Sequence, residues 1–103
     1  MEVKKLESDN RAEVQVAGEV DMRSSPELRA VLVELVKSKT PQVIVNLQGV
    51  TYIDSSGLAT LVECLQGTSR YKGSLLLVGV NESIYPVFEL ARLDRVFEIR
   101  RTV

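Results

Sequence analysis

Two short apolar runs constrain the fold of this chain more than anything else in it. Val43-Ile44-Val45-Asn46-Leu47 holds three consecutive β-branched residues, and Ser74-Leu75-Leu76-Leu77-Val78 is continuously apolar after its first residue. Runs of this length and composition read as strands covered on both faces. Between them lies an amphipathic segment. Leu58, Leu61, Val62 and Leu65 fall at helical spacing on its core-facing side, Thr60, Glu63 and Gln66 point elsewhere, and Gly67 ends or frays the helix. A strand, a helix and a strand in that order imply parallel strands joined by a right-handed crossover.

The flanking segments extend the pattern. Val3 to Leu6 and the alternating Glu13-Val14-Gln15-Val16-Ala17, separated by the polar cluster Ser8-Asp9-Asn10-Arg11, read as an antiparallel hairpin. Ser24-Ser25-Pro26-Glu27 is a helix-start signal, with Ser25 as the cap and Pro26 at the first helical position. Leu28, Val31, Leu32, Leu35 and Val36 then form one apolar face as far as about Lys37, and Val33 lies off that stripe. Past the second apolar run, Ser83 caps a third helix with Pro86 in its first turn and Ile84, Val87, Phe88 and Ala91 inward. Val96 to Ile99 is a last edge strand. The predicted order is β-β-α-β-α-β-α-β. It gives an α/β fold with a mixed sheet of four or five strands and helices mainly on one face. The 103 residues form a single domain, 1–103, large enough to bury a core without staples.

Composition excludes several function classes. A formal net charge of −1 offers no electrostatic footprint for nucleic acid. The chain has no histidine, which removes the usual general base, metal ligand and pH switch. One cysteine, Cys64, permits no internal disulfide and suits a reducing cytoplasm. No apolar run approaches the length of a membrane span, and Met1-Glu2-Val3-Lys4-Lys5 lacks the apolar core of a signal peptide. Cytoplasmic location is the expectation.

The residues richest in functional content are Asp54-Ser55-Ser56-Gly57, where a buried strand turns into a helix. A helix N-terminus presents unpaired N–H groups and partial positive charge, and so seats an anion. Ser or Asp at such a place is also what an ordinary helix cap looks like, and Gly57 would let the helix pack closely on the sheet. Enzyme readings find little support. A serine hydrolase lacks its base, Gly-x-Ser-x-Gly is absent, and a phosphate-binding loop would need more glycines and a lysine. Asp21 with Asp54 is a weak candidate pair for Mg²⁺. No catalytic residue, metal or cofactor is expected.

Taken together, Gly18-Glu19-Val20-Asp21, Val43 to Leu47 and Ile53-Asp54-Ser55-Ser56-Gly57-Leu58 resemble the STAS domain, in particular the stand-alone anti-sigma factor antagonists of bacteria. Phe88-Glu89-Leu90-Ala91-Arg92-Leu93 looks like the family's closing helix, with Arg92 where a glycine cap is expected. The resemblance implies a partner-switching regulator. In its unphosphorylated form such a protein binds an anti-sigma factor that is also a serine kinase, and so frees the sigma factor. Phosphorylation of the first serine, here Ser55, ends that binding, and a serine phosphatase resets it. Asp21, Asp54, Ser56 and Gly57 match the residues around the phosphoacceptor. The same fold leaves open a subunit of a signalling scaffold or lipid-transport complex, and a small-ligand sensor.

Overall fold

A computed structural model describes all residues from Met1 to Val103. The observed order is β1 (Glu2–Glu7), β2 (Arg11–Val20), α1 (Ser25–Lys37), β3 (Gln42–Ile53), α2 (Ser55–Arg70), β4 (Ser74–Val78), α3 (Tyr85–Leu90) and β5 (Glu98–Arg100). The predicted sequence of elements is therefore borne out. The five strands lie side by side in chain order, β1-β2-β3-β4-β5. Only β1 and β2 are antiparallel. Each parallel crossover advances the sheet by one strand in the same direction. Right-handed crossovers that never reverse direction leave every helix on the same face.

That face holds the core. Val14 and Val16 of β2, Val43, Val45 and Leu47 of β3, and Leu75 and Leu77 of β4 meet Leu28, Leu32 and Leu35 of α1, Leu61 of α2, and Ile84 and Phe88 of α3. Phe97 closes the cluster edge-on against Phe88, with ring centroids 5.9 Å apart. On the opposite face Gln42, Ile44 and Asn46 are only half-buried. The β-branched run thus marks a central strand whose second face no helix covers, rather than one enclosed on both sides.

Strand β3 is much longer than its apolar run. It continues through Gln48 and Gly49 to Ile53, and its register against β2 shifts between Gln15 and Ala17 and again between Gly18 and Glu19. At each shift β3 carries one residue more than β2, as in a β-bulge. The change of phase returns Val50 and Ile53 to the core side after Leu47. At the first shift a Cβ on Gly49 would stand 2.9 Å from Ala17 Cβ. Asn81, in the turn after β4, holds the irregular stretch: its side-chain amide donates to the carbonyls of Leu47, Gln48 and Val50 at 3.4, 3.3 and 2.8 Å. Its Oδ1 accepts from the N–H of Ser83 at 2.8 Å.

Several local expectations are corrected. Ser24, not Ser25, is at the N-cap of α1, and Ser25 is buried. Ile84 rather than Ser83 precedes α3, where Asn81 does the turn-forming work. Ala91 is exposed at the end of α3. Gly67 does not end α2, which runs on to Arg70. It is buried against α1, and a Cβ there would meet Val36 Cγ1 at 2.7 Å. Thr60 is buried too, with its hydroxyl donating to the Ser56 carbonyl at 3.0 Å.

All three helices end alike. Lys39, Lys72 and Arg92 have φ of 53°, 62° and 59°. The N–H of each bonds back to Val36, Ser69 and Glu89 in turn, and the next residue's N–H reaches the carbonyl of Leu35, Thr68 and Phe88. These are Schellman motifs with a basic residue in the left-handed position that glycine usually fills. The charge suits the negative end of the helix dipole, but the Cβ is strained there. Arg92, at the position where glycine is expected, therefore ends α3 in the ordinary way. Replacing it with glycine should raise unfolding stability by about 0.5–1 kcal/mol, read as a higher urea midpoint with unchanged slope. A lower midpoint would show that the arginine side chain contributes more than the left-handed strain costs.

Candidate functional site

The site is built where β2 and β3 end. Val20 pairs with Ile53 at the last rung of their ladder, and the Asp54 N–H donates to the Val20 carbonyl at 3.1 Å. The two chains leave this rung as Asp21 and Asp54, so the topology brings both aspartates to one end of the sheet. Gly57 lets α2 start directly above it, since a Cβ would stand 2.7 Å from Ile53 Cγ1 and 2.9 Å from Val20 Cγ1.

Asp54 is the N-cap of α2. Its Oδ1 accepts from the N–H groups of Ser56 and Gly57 at 2.9 and 3.2 Å, and from the Ser56 hydroxyl at 2.6 Å. The Ser56 hydroxyl bond holds the Asp54 carboxyl below its ordinary value of 3.8, and the backbone N–H groups of Gly57, Ser56 and Met22 add to the effect against partial burial. Asp21 braces the turn that leads into α1, ahead of its N-cap Ser24. Its Oδ1 accepts from the N–H groups of Arg23 and Ser24 at 2.9 and 3.1 Å, and from the Ser24 hydroxyl at 3.2 Å. The backbone N–H of Ser24, followed by that of Arg23, lowers its pKa, while the charge on Asp54 opposes the shift. Both carboxylates are ionised at neutral pH; Asp54 is turned onto the first turn of α2, and Asp21 onto the Arg23–Ser24 turn. The Asp21 bonds go to Arg23 and Ser24, not to the Ser55 hydroxyl.

The two serines differ. Ser56 is half-buried, and its hydroxyl is committed to Asp54. Ser55 occupies the first position of α2 and is exposed, with its hydroxyl outside the network that Asp54 holds. From Ser55 an open groove of about 490 Å³ runs along α2, lined by Leu58, Ala59 and Val62 and by Ala91 and Leu93 beyond α3. Met22, beside the aspartates, is 77% exposed. The motif was legible in the sequence; this groove was not, because its two walls are distant in the chain.

The STAS domain pattern matches residues 2–103. The chain belongs to the STAS domain family. This STAS domain is 33% identical over 99 residues to the anti-sigma-B factor antagonist of Staphylococcus epidermidis, covering 96% of this chain and 92% of that protein. Its fold matches the crystal structure of an anti-sigma factor antagonist from Mycobacterium paratuberculosis with a TM-score of 0.84 at 23% identity, over 99% of this chain and 86% of the other. It also matches the anti-sigma factor antagonist SpoIIAA in its unphosphorylated form, with a TM-score of 0.73 at 18% identity, over 92% and 97% of the two chains. SpoIIAA of Bacillus in the phosphorylated form matches with a TM-score of 0.76 at 16% identity, over 95% and 90%. At these identities the structures speak for the fold. No helix is long and apolar enough to cross a membrane.

The Asp54 cap of this STAS domain has a pH signature. A carboxylate whose folded pKa is depressed contributes stability that is fully present above the unfolded value and lost as pH falls through the folded one. Asp54→Asn keeps the cap geometry and removes the charge. At pH 7 the wild type should be more stable by about 0.3–1 kcal/mol, and this advantage should shrink as pH falls below about 4. Urea unfolding of both proteins between pH 7 and pH 2.5 measures it; a constant difference would contradict the assignment.

Proposed function

We propose that this STAS domain is an anti-sigma factor antagonist: unphosphorylated, it binds an anti-sigma factor that is also a serine kinase, and phosphorylation of Ser55 ends that binding. The observation that carries the reading is the contrast between the serines. A kinase needs a hydroxyl that is accessible and uncommitted. Ser55 has one at the rim of an apolar groove, whereas the Ser56 hydroxyl is held 2.6 Å from Asp54. The 33% identity to an anti-sigma-B factor antagonist over nearly the whole chain supports the same reading, as does the solution of SpoIIAA in both phosphorylation states.

The physical chemistry of the switch follows from the cap. Phosphorylation adds about −1.5 to −2 charges. A bare helix N-terminus would draw that charge in, but Asp54 already takes the N–H groups of Ser56 and Gly57. The phosphoryl group therefore stays outside, with Asp54 and Asp21 repelling it from within. It appears on the docking surface, between Met22 and the groove, where a partner must exclude water. Like charge placed in an interface costs several kcal/mol, roughly a hundredfold or more in affinity. Asp21 acts indirectly, by fixing the turn that presents Met22 beside the site. The domain acts by binding, a serine phosphatase resets it, and it works in the cytoplasm without contacting nucleic acid or membrane.

The test uses the cognate kinase with ATP. Peptide mass spectrometry should find phosphate on Ser55 and none on Ser56. Ser55→Ala should bind the partner as the unmodified protein does. Ser55→Asp should bind at least a hundredfold more weakly while its stability stays within about 0.5 kcal/mol of wild type. Phosphate on Ser56 alone, or undiminished binding by Ser55→Asp, would overturn the proposal.

A further inference from the structure

A second groove, of about 200 Å³, lies between α1 and α2, on the side of α2 that faces α1. Leu32 and Val36 of α1 and Cys64 of α2 give it an apolar lining. Both helices return the chain between parallel strands, so they run in the same direction. Their C-terminal ends are joined: the Tyr71 hydroxyl donates to the Thr40 carbonyl at 2.8 Å. Gly67 brings α1 and α2 together at that end.

Three cations and one carboxylate border the groove: Arg29, Lys37, Arg70 and Glu63. Arg29 is committed to Glu63, with Nε 2.7 Å from Oε1. Lys37 and Arg70 take part in neither of the chain's two ion pairs. The Schellman residues Lys39 and Lys72 follow in the chain just past the two helix ends, outside the lining of the groove. Each helix C-terminus supplies only about half a negative charge to meet Lys37 and Arg70. The groove thus joins an apolar floor to an uncompensated positive end, which the Ser55 site does not use.

That combination complements an amphiphile with one anionic head. The volume admits roughly seven water-sized groups, which is a short chain. It is far too narrow for a partner helix, whose diameter is about 10 Å. We propose that the α1–α2 groove binds a medium-chain carboxylate, with its chain over Leu32, Val36 and Cys64 and its head between Lys37 and Arg70. Burial of the chain supplies affinity, and charge-assisted hydrogen bonds to the two cations select the anion. Such a ligand would rest on the side of α2 that faces α1, which adjoins the Ser55 groove at Glu63 but includes neither Ser55 nor Leu58, so the site stands independently of the phosphorylation reading.

Sodium octanoate is the probe, titrated into the ¹⁵N-labelled protein in the millimolar range, with octanol as the neutral control. Saturable shifts should centre on α1 and α2 around Val33, Lys37, Cys64 and Arg70, and octanol should bind at least tenfold more weakly. Lys37→Gln with Arg70→Gln, both exposed and so compatible with folding, should weaken octanoate at least tenfold. Val33→Phe, at the half-buried wall, should block it while the spectrum reports the fold intact. No saturable shift, shifts centred on Ser55 and Leu58, equal binding of octanol, or undiminished binding by the double variant would each overturn the proposal.

Discussion

The Asp54 carboxylate is the constraint on which the site depends. It joins the last rung of the β2–β3 ladder to the first turn of α2, because its own N–H belongs to the ladder and its side chain to the helix. Gly57 makes that junction sterically possible, and the shifted register of β3 delivers Ile53 to the core beneath it. One strand away, Asp21 holds the turn before α1 through the N–H groups of Arg23 and Ser24. Two helices therefore follow from adjacent strand ends: Asp54 caps α2, and Asp21 braces the turn that leads into α1. Ser55 is what remains exposed.

Under the proposed function, this division of labour would let one hydroxyl control association without endangering the fold. The groups that hold α2 in place are Asp54, Ser56 and Gly57, and none of them is the proposed acceptor. A charge added at Ser55 finds the helix N-terminus already occupied by an anion, so it has little to gain inside and is displayed outward. In the family resemblance the acidic neighbours read as markers of the motif. Under the proposed function they form the electrostatic floor that would keep a phosphoryl group on the surface.

How much of this was legible depended on the distance over which each feature is encoded. The strands and helices were written in local periodicity, and the order of all eight elements followed from it. The turn Asp54-Ser55-Ser56-Gly57 was equally local. The sequence could not say which of Asp54 and Ser55 caps the helix, since both residue types serve and the choice is made by the pairing of Asp54 with Val20. Strand β3 beyond Leu47 was hidden because Gln48 and Gly49 break the alternation, and the bulges that restore it are visible only against β2. The burial of Gly67 and Thr60 was hidden for a related reason. Helix α2 carries one apolar stripe for the sheet and a separate strip for α1, and small residues in that strip resemble interruptions of the pattern. Lys39, Lys72 and Arg92 end their helices without the glycine that usually announces a stop. Both grooves join residues from separate elements, so neither had a local signature.

The central claim is that phosphate at Ser55 alters the surface and leaves the fold in place. The most direct measurement is the ¹H–¹⁵N spectrum of the protein phosphorylated at Ser55, set against that of the unmodified protein. The account predicts changes confined to the turn from Asp21 to Ser24, the first turns of α2, and the adjoining wall at Ala91 and Leu93, with the core amides of β3 and β4 unmoved. Shifts spread through Val43–Leu47 and Leu75–Val78 would contradict it, because they would mean that the switch works by rearranging the domain.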